Sequence, residues 1–132
     1  MKPNCQVKIC GITNLEDAGI AAAAGANYLG VVVEVPFSPR SVSLEKAKEM
    51  FPKLPLPGVA LVYQMPFSRL CLLINELKPV AVQFLSPAGK MLTRCKEQFP
   101  NVELWQSIHL PPAGSPADRD ATQQLVDESC AA

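Results

Sequence analysis

Two short segments of the chain carry side chains that could do chemistry. Cys10 offers a thiol at the end of an apolar run that resembles a strand, and Arg40 offers a guanidinium in a proline-rich loop. A thiolate can act as a nucleophile or a base, and the guanidinium fork suits a planar anion. A single cysteine at the end of a strand usually serves only in core packing, and an arginine in a loop usually only extends into solvent. Both remain candidates because parallel α/β folds concentrate chemistry where strands end.

The elements that would position these segments follow from the pattern of apolar and turn residues. Strand-like and helix-like segments alternate, and the strand starts lie roughly 22 or 30 residues apart. This alternation indicates a parallel sheet with helical crossovers. The predicted strands are 6–10, 28–35, 58–63, 79–84 and 102–108, and the predicted helices are 15–24, 44–51, 67–77, 90–99 and about 119–129.

Helix boundaries and burial can be predicted at several points. Thr13 and Glu16 have the spacing of a capping box, Gly25 suits a helix C-terminus, and Ser43 suits an N-cap. The nearly continuous apolar run 28–35 is typical of a strand buried on both faces. The proline-rich segment 110–117 is predicted to be an irregular loop.

Five βα units in a chain of 132 residues are compatible with two architectures. One is a doubly wound five-stranded sheet, and the other is part of an eight-unit barrel, which usually needs about 250 residues. Periodicity alone does not distinguish them. No domain boundary is evident, so residues 1–132 are predicted to form one domain.

Composition excludes several classes of protein. Twelve basic and twelve acidic residues give no net charge, which argues against binding to nucleic acid or to an anionic membrane. No apolar run approaches the roughly 20 residues that span a bilayer, and the first residues lack the pattern of a signal peptide. We therefore expect a cytoplasmic protein.

The five cysteines show neither pairing nor the spacing of metal ligands. They are scattered, and the chain has a single histidine, His109, so neither a disulfide framework nor a zinc site is predicted. Most of the thiols are expected to be small buried side chains. His109 follows the fifth predicted strand, where contact with a ligand is conceivable but an incidental role is more common.

The residues after the first two strands resemble the motifs of the phosphoribosylanthranilate isomerase family. The segment KICGIT at 8–13, followed by acidic residues and Ala18, is similar to the family's first motif. The segment SPRSVS at 38–43 is similar to its second, and Gln83 resembles the start of the family's Gln-Leu-His-Gly at strand four. The resemblance is specific over residues 7–46. It implies an α/β fold that is a partial TIM (β/α)₈ barrel, with about five βα units of parallel sheet and outer helices.

The resemblance also implies an activity in tryptophan biosynthesis, the Amadori rearrangement of N-(5-phosphoribosyl)anthranilate, without a cofactor or metal. Cys10 matches the family's general base, and Arg40 matches the arginine that faces the anthranilate carboxylate. Lys8 and Gln83 are the further candidate substrate-binding residues. Lys8 could equally point outward, with its ammonium in solvent. The expected ligand is a phosphosugar-anthranilate.

Two departures from the family lead to an alternative. Leu85 stands where the family has a histidine. The family's general acid, an aspartate at strand six, has no counterpart here, because Asp118, Asp120 and Asp127 lie in the wrong unit. The alternative is a degenerate relative that binds or assembles without catalysis. A flavodoxin-like module is disfavoured, because the acidic pair of a receiver and the phosphate loop of a flavin carrier are both missing after strand one.

Five strands cut from a barrel would also leave two open sheet edges. Unpaired edges recruit partners, so we expect self-association or a partner that covers them.

Overall fold

The computed structural model describes residues 5–110, 123, 124 and 126–128. Strands and helices alternate within them, as the sequence predicts. The strands are β1 Lys8–Cys10, β2 Tyr28–Val32, β3 Gly58–Val62, β4 Ala81–Phe84 and β5 Glu103–Gln106, and the helices are α1 Leu15–Ala23, α2 Leu44–Met50, α3 Phe67–Leu77 and α4 Lys90–Gln98. Of the predicted final helix, residues 123, 124 and 126–128 are helical; its remaining residues, and the predicted loop beyond residue 110, lie outside the described residues.

The five strands form one parallel sheet in the order β1-β2-β3-β4-β5. Each strand therefore pairs with its neighbours along the chain, and each new strand is added at the same edge. A doubly wound sheet instead reverses direction at a switch point and carries helices on both faces. The observed order is that of a barrel and confirms the partial-barrel prediction.

The sheet is strongly curled. Lys8 of β1 contacts Gln83 of β4, and its ammonium nitrogen lies 5.8 Å from the centre of the Trp105 ring of β5. In a flat sheet these strands would be three and four spacings away, about 14 and 19 Å. Contact across the sheet shows that the strands enclose a concave face.

Two apolar clusters cover the two faces of the sheet. The larger one packs the convex face against the helices and includes Leu29, Val31, Leu70 and Leu73. The smaller one lines the concave face. Its members are Val32, Val35, Val59, Leu61 and Ala81, with Tyr28, Tyr63, Leu85 and Trp105 packed against them.

Segment 28–35 is buried on both faces, as predicted, but its regular strand pairing ends before the predicted boundary at residue 35. Regular pairing stops at Val32, Val33 forms a single bridge to Val42, and Glu34 has φ of 53°. A left-handed residue turns the chain out of the pleat, so β2 cannot continue to Val35.

The predicted helix ends are confirmed in part. Ser43 caps α2 by accepting a hydrogen bond from the Lys46 amide at 3.1 Å, and Gly25 follows α1 in the left-handed conformation with φ of 98°. The capping box prediction was wrong: α1 begins at Leu15 as predicted, but its N-cap is Asn14 rather than Thr13, and the Asn14 side chain accepts from the Asp17 amide at 2.7 Å. At an N-cap, the side-chain oxygen of Asn accepts a backbone hydrogen bond as the hydroxyl of Thr does.

Helix α2 also ends one residue before the predicted boundary. Phe51–Lys53 form a short 3₁₀ turn instead, because Pro52 has no amide to donate along an α-helix. No helix in the described part of the chain is long and apolar enough to cross a bilayer.

Candidate active site

Cys10 lies at the carboxyl end of β1, directly opposite Gly30 of β2. Gly30 leaves room for the thiol: a Cβ built on Gly30 would lie 3.2 Å from Cys10 Sγ and 3.0 Å from Leu61 Cδ1. The sulfur therefore lies over the backbone of β2, at the side of the cluster that lines the concave face. Cys10 is exposed, so the thiol is open to a ligand.

Arg40 reaches the same place from the loop after β2. Gly11 has φ of 83°, and a Cβ on it would lie 2.6 Å from Arg40 Cδ, so the arginine stem lies against the Gly11 backbone. Ser38 and Ser41 hold this loop: Ser38 Oγ accepts from the Arg40 amide at 3.3 Å, and Ser41 Oγ accepts from the Val35 amide at 2.8 Å. The structure thus brings the two sequence motifs together.

Lys8 points inward, which resolves the two orientations left open by the sequence. Its ammonium donates to the Gln83 side-chain oxygen, and the Gln83 amide donates to Ser107 Oγ at 2.8 Å. This polar chain joins β1 to β4 and to the residue after β5. It holds a positive charge on the concave face, two residues before Cys10.

An aromatic pair lies beside this charge. The rings of Tyr28 and Trp105 meet edge to face at 5.4 Å, and the Trp105 indole donates to Glu103 at 2.9 Å. The Lys8 ammonium at 5.8 Å from the Trp105 ring is within cation–π range. Sequence reasoning missed both aromatic residues and Ser107, because only the curl of the sheet brings the end of β5 to β1 and to Tyr28 of β2.

Leu85 occupies the position of the family histidine and packs against the apolar cluster of the concave face. The only histidine of the chain is close by: His109 Nε2 donates to the Leu85 carbonyl oxygen at 3.0 Å. His109 thus makes a contact that ties the end of β5 to the loop after β4.

An ion pair stands at the carboxyl end of β2, outside the predicted set. Arg69 of α3 donates through Nε and Nη2 to the two carboxylate oxygens of Glu34, at 3.0 and 2.6 Å. The hydrogen bonds from Arg69 hold the pKa of Glu34 below its ordinary value of 4.5, and the pair raises the pKa of Arg69. The pair joins the left-handed residue that ends β2 to helix α3.

The remaining cysteines do not join the site. Cys95 is buried, and burial raises the pKa of its thiol to about 11, which makes it inert. Cys71 is half-buried, whereas Cys5 is exposed, so the expectation that most thiols are buried was wrong for the described residues. Cys130 lies outside them.

Two of the three aspartates named from the sequence, Asp118 and Asp120, lie outside the described residues. Asp127 accepts a hydrogen bond from Gln123 of its own helical segment at 2.9 Å. Within the described residues, no group of three or more His, Cys, Asp or Glu side chains could hold a metal ion.

Comparison with known proteins finds relatives both in sequence and in structure. No protein-family model matches the chain. The N-(5'-phosphoribosyl)anthranilate isomerase of Methanocella arvoryzae is 36% identical over 113 residues, which cover 83% of this chain and 53% of that protein.

Solved structures agree with this similarity. The N-(5'-phosphoribosyl)anthranilate isomerase of Pyrococcus furiosus superposes with a TM-score of 0.80 at 28% identity, over 96% of this chain and 62% of that one. A phosphoribosyl anthranilate isomerase in complex with reduced 1-(o-carboxyphenylamino)-1-deoxyribulose 5-phosphate superposes with a TM-score of 0.76 at 26% identity. The superposition covers 94% of this chain and 61% of that one. The chain spans about half the length of the curated relatives of this kind that it matches.

Proposed function

The chain belongs to the phosphoribosylanthranilate isomerase family, and we propose that it carries the general base and the carboxylate anchor for the isomerisation of N-(5-phosphoribosyl)anthranilate in tryptophan biosynthesis. It corresponds in this proposal to the N-terminal five βα units of the family's barrel, folded as one domain. The observation that supports it best is the contact between the two motifs, in which Arg40 lies on Gly11, next to Cys10.

Cys10 acts on the open-chain form of the substrate. A general acid first protonates the ring oxygen while the nitrogen lone pair forms a C1–N double bond and the C1–O bond breaks, so the sugar opens to a protonated imine at C1. The Cys10 thiolate then takes the proton from C2, so that the C2–H electron pair forms a C1–C2 double bond and the imine π pair passes to nitrogen. The enol that results tautomerises to the 2-keto product. No cofactor is needed, because the imine itself accepts the electrons.

Arg40, Lys8 and Gln83 bind the substrate in this proposal. The Arg40 guanidinium offers two parallel donors to the anthranilate carboxylate, and its stem is already held against Gly11. Gln83 holds the Lys8 ammonium on the concave face, where a positive charge favours an anionic substrate. The three side chains come from β1, the loop after β2 and β4, so the curl of the sheet is what brings them to one ligand.

The general acid belongs to another strand. The family's acid is an aspartate at the end of strand six, and the five units of this chain have no corresponding residue. We assign it to a sixth strand that pairs with β5. Beside β5 the structure has a groove of about 630 Å³ between strand and helix residues, in keeping with this assignment. Its apolar lining residues include Leu92, Val102, Leu104 and Ile108.

The proposal is tested by complementation of a tryptophan auxotroph that lacks this isomerase. The chain is expressed alone and together with the last three βα units of the Methanocella arvoryzae relative. We expect growth when the additional units are present. Cys10→Ala should abolish it, since loss of a positioned base lowers the rate by about 10²–10⁴-fold. Cys5→Ala is the matched control, because Cys5 is exposed and outside the site, and it should grow like wild type.

Substitution of Arg40 separates binding from chemistry in the same system. In the purified pair, Arg40→Gln should raise KM far more than it lowers kcat. Growth that persists in Cys10→Ala would disprove the role of the base. An unchanged KM in Arg40→Gln would disprove the carboxylate anchor.

A second candidate function rests on Leu85. This apolar side chain packs on the concave cluster where the family has an imidazole, which favours a degenerate relative that binds or assembles without catalysis. No growth from a folded wild-type chain, even with the additional units, would support this function over the first.

We also propose that the chain works in the cytoplasm and that, alone, it self-associates through the β1 edge. Cys5, Cys10, Cys71 and Cys95 are free thiols, in keeping with a reducing compartment. In the described residues β1 pairs on one side only, and the neighbouring Val7 and Ile9 are 46% and 41% exposed. An unpaired edge flanked by apolar side chains favours strand pairing with a second copy.

A further inference from the structure

The geometry points to Gly30 as a positioning residue for Cys10: the bare Cα of Gly30 holds the thiol in place for proton abstraction. This inference rests on the proposed role of Cys10 as the general base. Gly30 lies opposite Cys10 in the β1–β2 ladder. It belongs to neither of the two motifs around Cys10 and Arg40.

The backbone of Gly30 does not itself require glycine. Three glycines of the described chain have a positive φ, namely Gly11, Gly25 and Gly89, and Gly30 is not among them. A side chain is therefore compatible with the strand conformation of this residue. What excludes one is contact with neighbouring atoms.

Those neighbours are the side chain and backbone of Cys10 and the side chain of Leu61. A Cβ on Gly30 would lie 3.2 Å from Cys10 Sγ, 3.3 Å from Cys10 Cα and 3.0 Å from Leu61 Cδ1. All three contacts are closer than ordinary van der Waals contact. Leu61 belongs to β3, is 3% exposed and packs within the apolar cluster of the concave face, so it has little freedom to move away.

The carbonyl of Gly30 fixes the other side of Cys10. It accepts hydrogen bonds from the amides of Gly11 and Ile12, both at 3.0 Å. The backbone after Cys10 is thus anchored to the same residue that leaves room for its thiol. The steric clash of a methyl group on Gly30 cannot be relieved by a shift of β1, because the backbone after β1 is hydrogen-bonded to Gly30 itself. The thiol must give way instead, by a few tenths of an ångström.

The test is Gly30→Ala, with Gly19→Ala as the matched control. Gly19 lies on α1 with no atom within 4 Å of a Cβ built on it, so the same substitution there should change nothing in the site. Gly30→Ala should lower kcat several-fold with little change in KM, because the neighbours of the new methyl group must give by a few tenths of an ångström, proton abstraction depends on the position of the base, and Arg40 is untouched. The assay uses the chain with the additional units that support activity.

A second measurement does not depend on activity. Iodoacetamide is added to the native chain, and alkylation of each cysteine is followed by mass spectrometry. Gly30→Ala should slow the alkylation of Cys10 several-fold, because the new methyl group covers one side of the sulfur. Cys5 is exposed and serves as the internal standard, and its rate should not change. This measurement stands even if the chain proves to lack isomerase activity, so the two proposals can fail separately.

A double variant separates positioning from stability. Leu61→Val removes the atom of Leu61 that meets the new methyl group, but leaves both Cys10 contacts in place. The double variant should therefore fold better than the Gly30→Ala variant. Its Cys10 should still react with iodoacetamide more slowly than the Cys10 of the Leu61→Val variant. If Gly30→Ala is insoluble, the double variant carries the test. Unchanged Cys10 alkylation in a folded protein that carries the Gly30→Ala substitution would overturn the inference.

Discussion

At the scale of single residues, the concave face carries the Lys8 ammonium and the exposed Cys10 thiol. Lys8 is held by Gln83 and by the Trp105 ring, so its ammonium is fixed rather than free in solvent. Ser107 in turn holds the Gln83 amide. A charge fixed in this way interacts with an anionic ligand without first losing side-chain freedom, which is an advantage for binding.

The Glu34–Arg69 pair leads to a prediction at this scale. Glu34→Gln should lower the free energy of unfolding at pH 7 by about 1 kcal/mol, because a bidentate, partly exposed pair contributes on that order. Arg69 holds the pKa of Glu34 below 4.5, so the contribution is complete above pH 4.5 and is lost as the pH falls through the lowered pKa. Urea unfolding of both proteins between pH 7 and pH 3 measures the difference.

Glu97→Gln is the control for this prediction. Glu97 is exposed on α4, and the described part of the chain shows no ion pair for it. Its substitution should change stability little at either pH. A Glu34→Gln difference that grows as the pH falls would contradict the assignment of the pair.

At the scale of elements, the end of α3 is strained. Lys78 follows the helix with φ of 49° and ψ of 54°, and its amide donates to the Ile74 carbonyl at 2.9 Å. Helices commonly place glycine at such a left-handed position, because a Cβ is disfavoured there. The chain has a lysine instead.

Lys78→Gly should therefore stabilise the protein. We expect the free energy of unfolding to rise by up to about 1 kcal/mol, as strain at a left-handed residue is removed. Thermal or urea unfolding measures it. The matched control is Lys96→Gly, inside α4, where the helix is right-handed and the same change should cost about 1 kcal/mol. Equal effects at the two positions would refute this explanation.

The elements themselves could largely be predicted from the sequence, since apolar periodicity and caps such as Ser43 are local signals. The end of β2 could not, because it lies at the left-handed Glu34, whose carboxylate partner Arg69 is 35 residues away. The same distinction holds for the site. Cys10 and Arg40 are found through contiguous motifs, whereas Gly30 and Ser107 matter only through the register and curl of the sheet. A glycine inside an apolar strand was the one available signal for close approach at Gly30.

At the scale of the whole molecule, the described sheet has two edges, β1 and β5. The proposed sixth strand covers β5, and we propose a second copy at β1 when the chain is alone. Twofold pairing of one edge with itself is the simplest closed arrangement. It would bury Val7 and Ile9.

The predicted oligomer can be measured by light scattering after size-exclusion chromatography. At micromolar concentration we expect about twice the 14.2 kDa mass of one chain. Val7→Lys should shift the chain toward the monomer, because a lysine at a strand edge opposes pairing. Leu72→Lys is the control on α3, where a 42% exposed leucine lies away from the sheet edge, and it should leave the mass unchanged. A monomeric wild-type chain would refute self-association.

The consecutive order of the strands also affects how the chain reaches its fold. Every strand pairing joins neighbours along the sequence, whereas the Lys8–Gln83 contact joins residues 75 positions apart. Contacts over short separations form early, because less chain entropy is lost in closing them. The ladder can therefore grow one unit at a time as the polypeptide leaves the ribosome. The curl that assembles the concave face comes last, so the polar residues of the site meet only after β4 has joined the sheet.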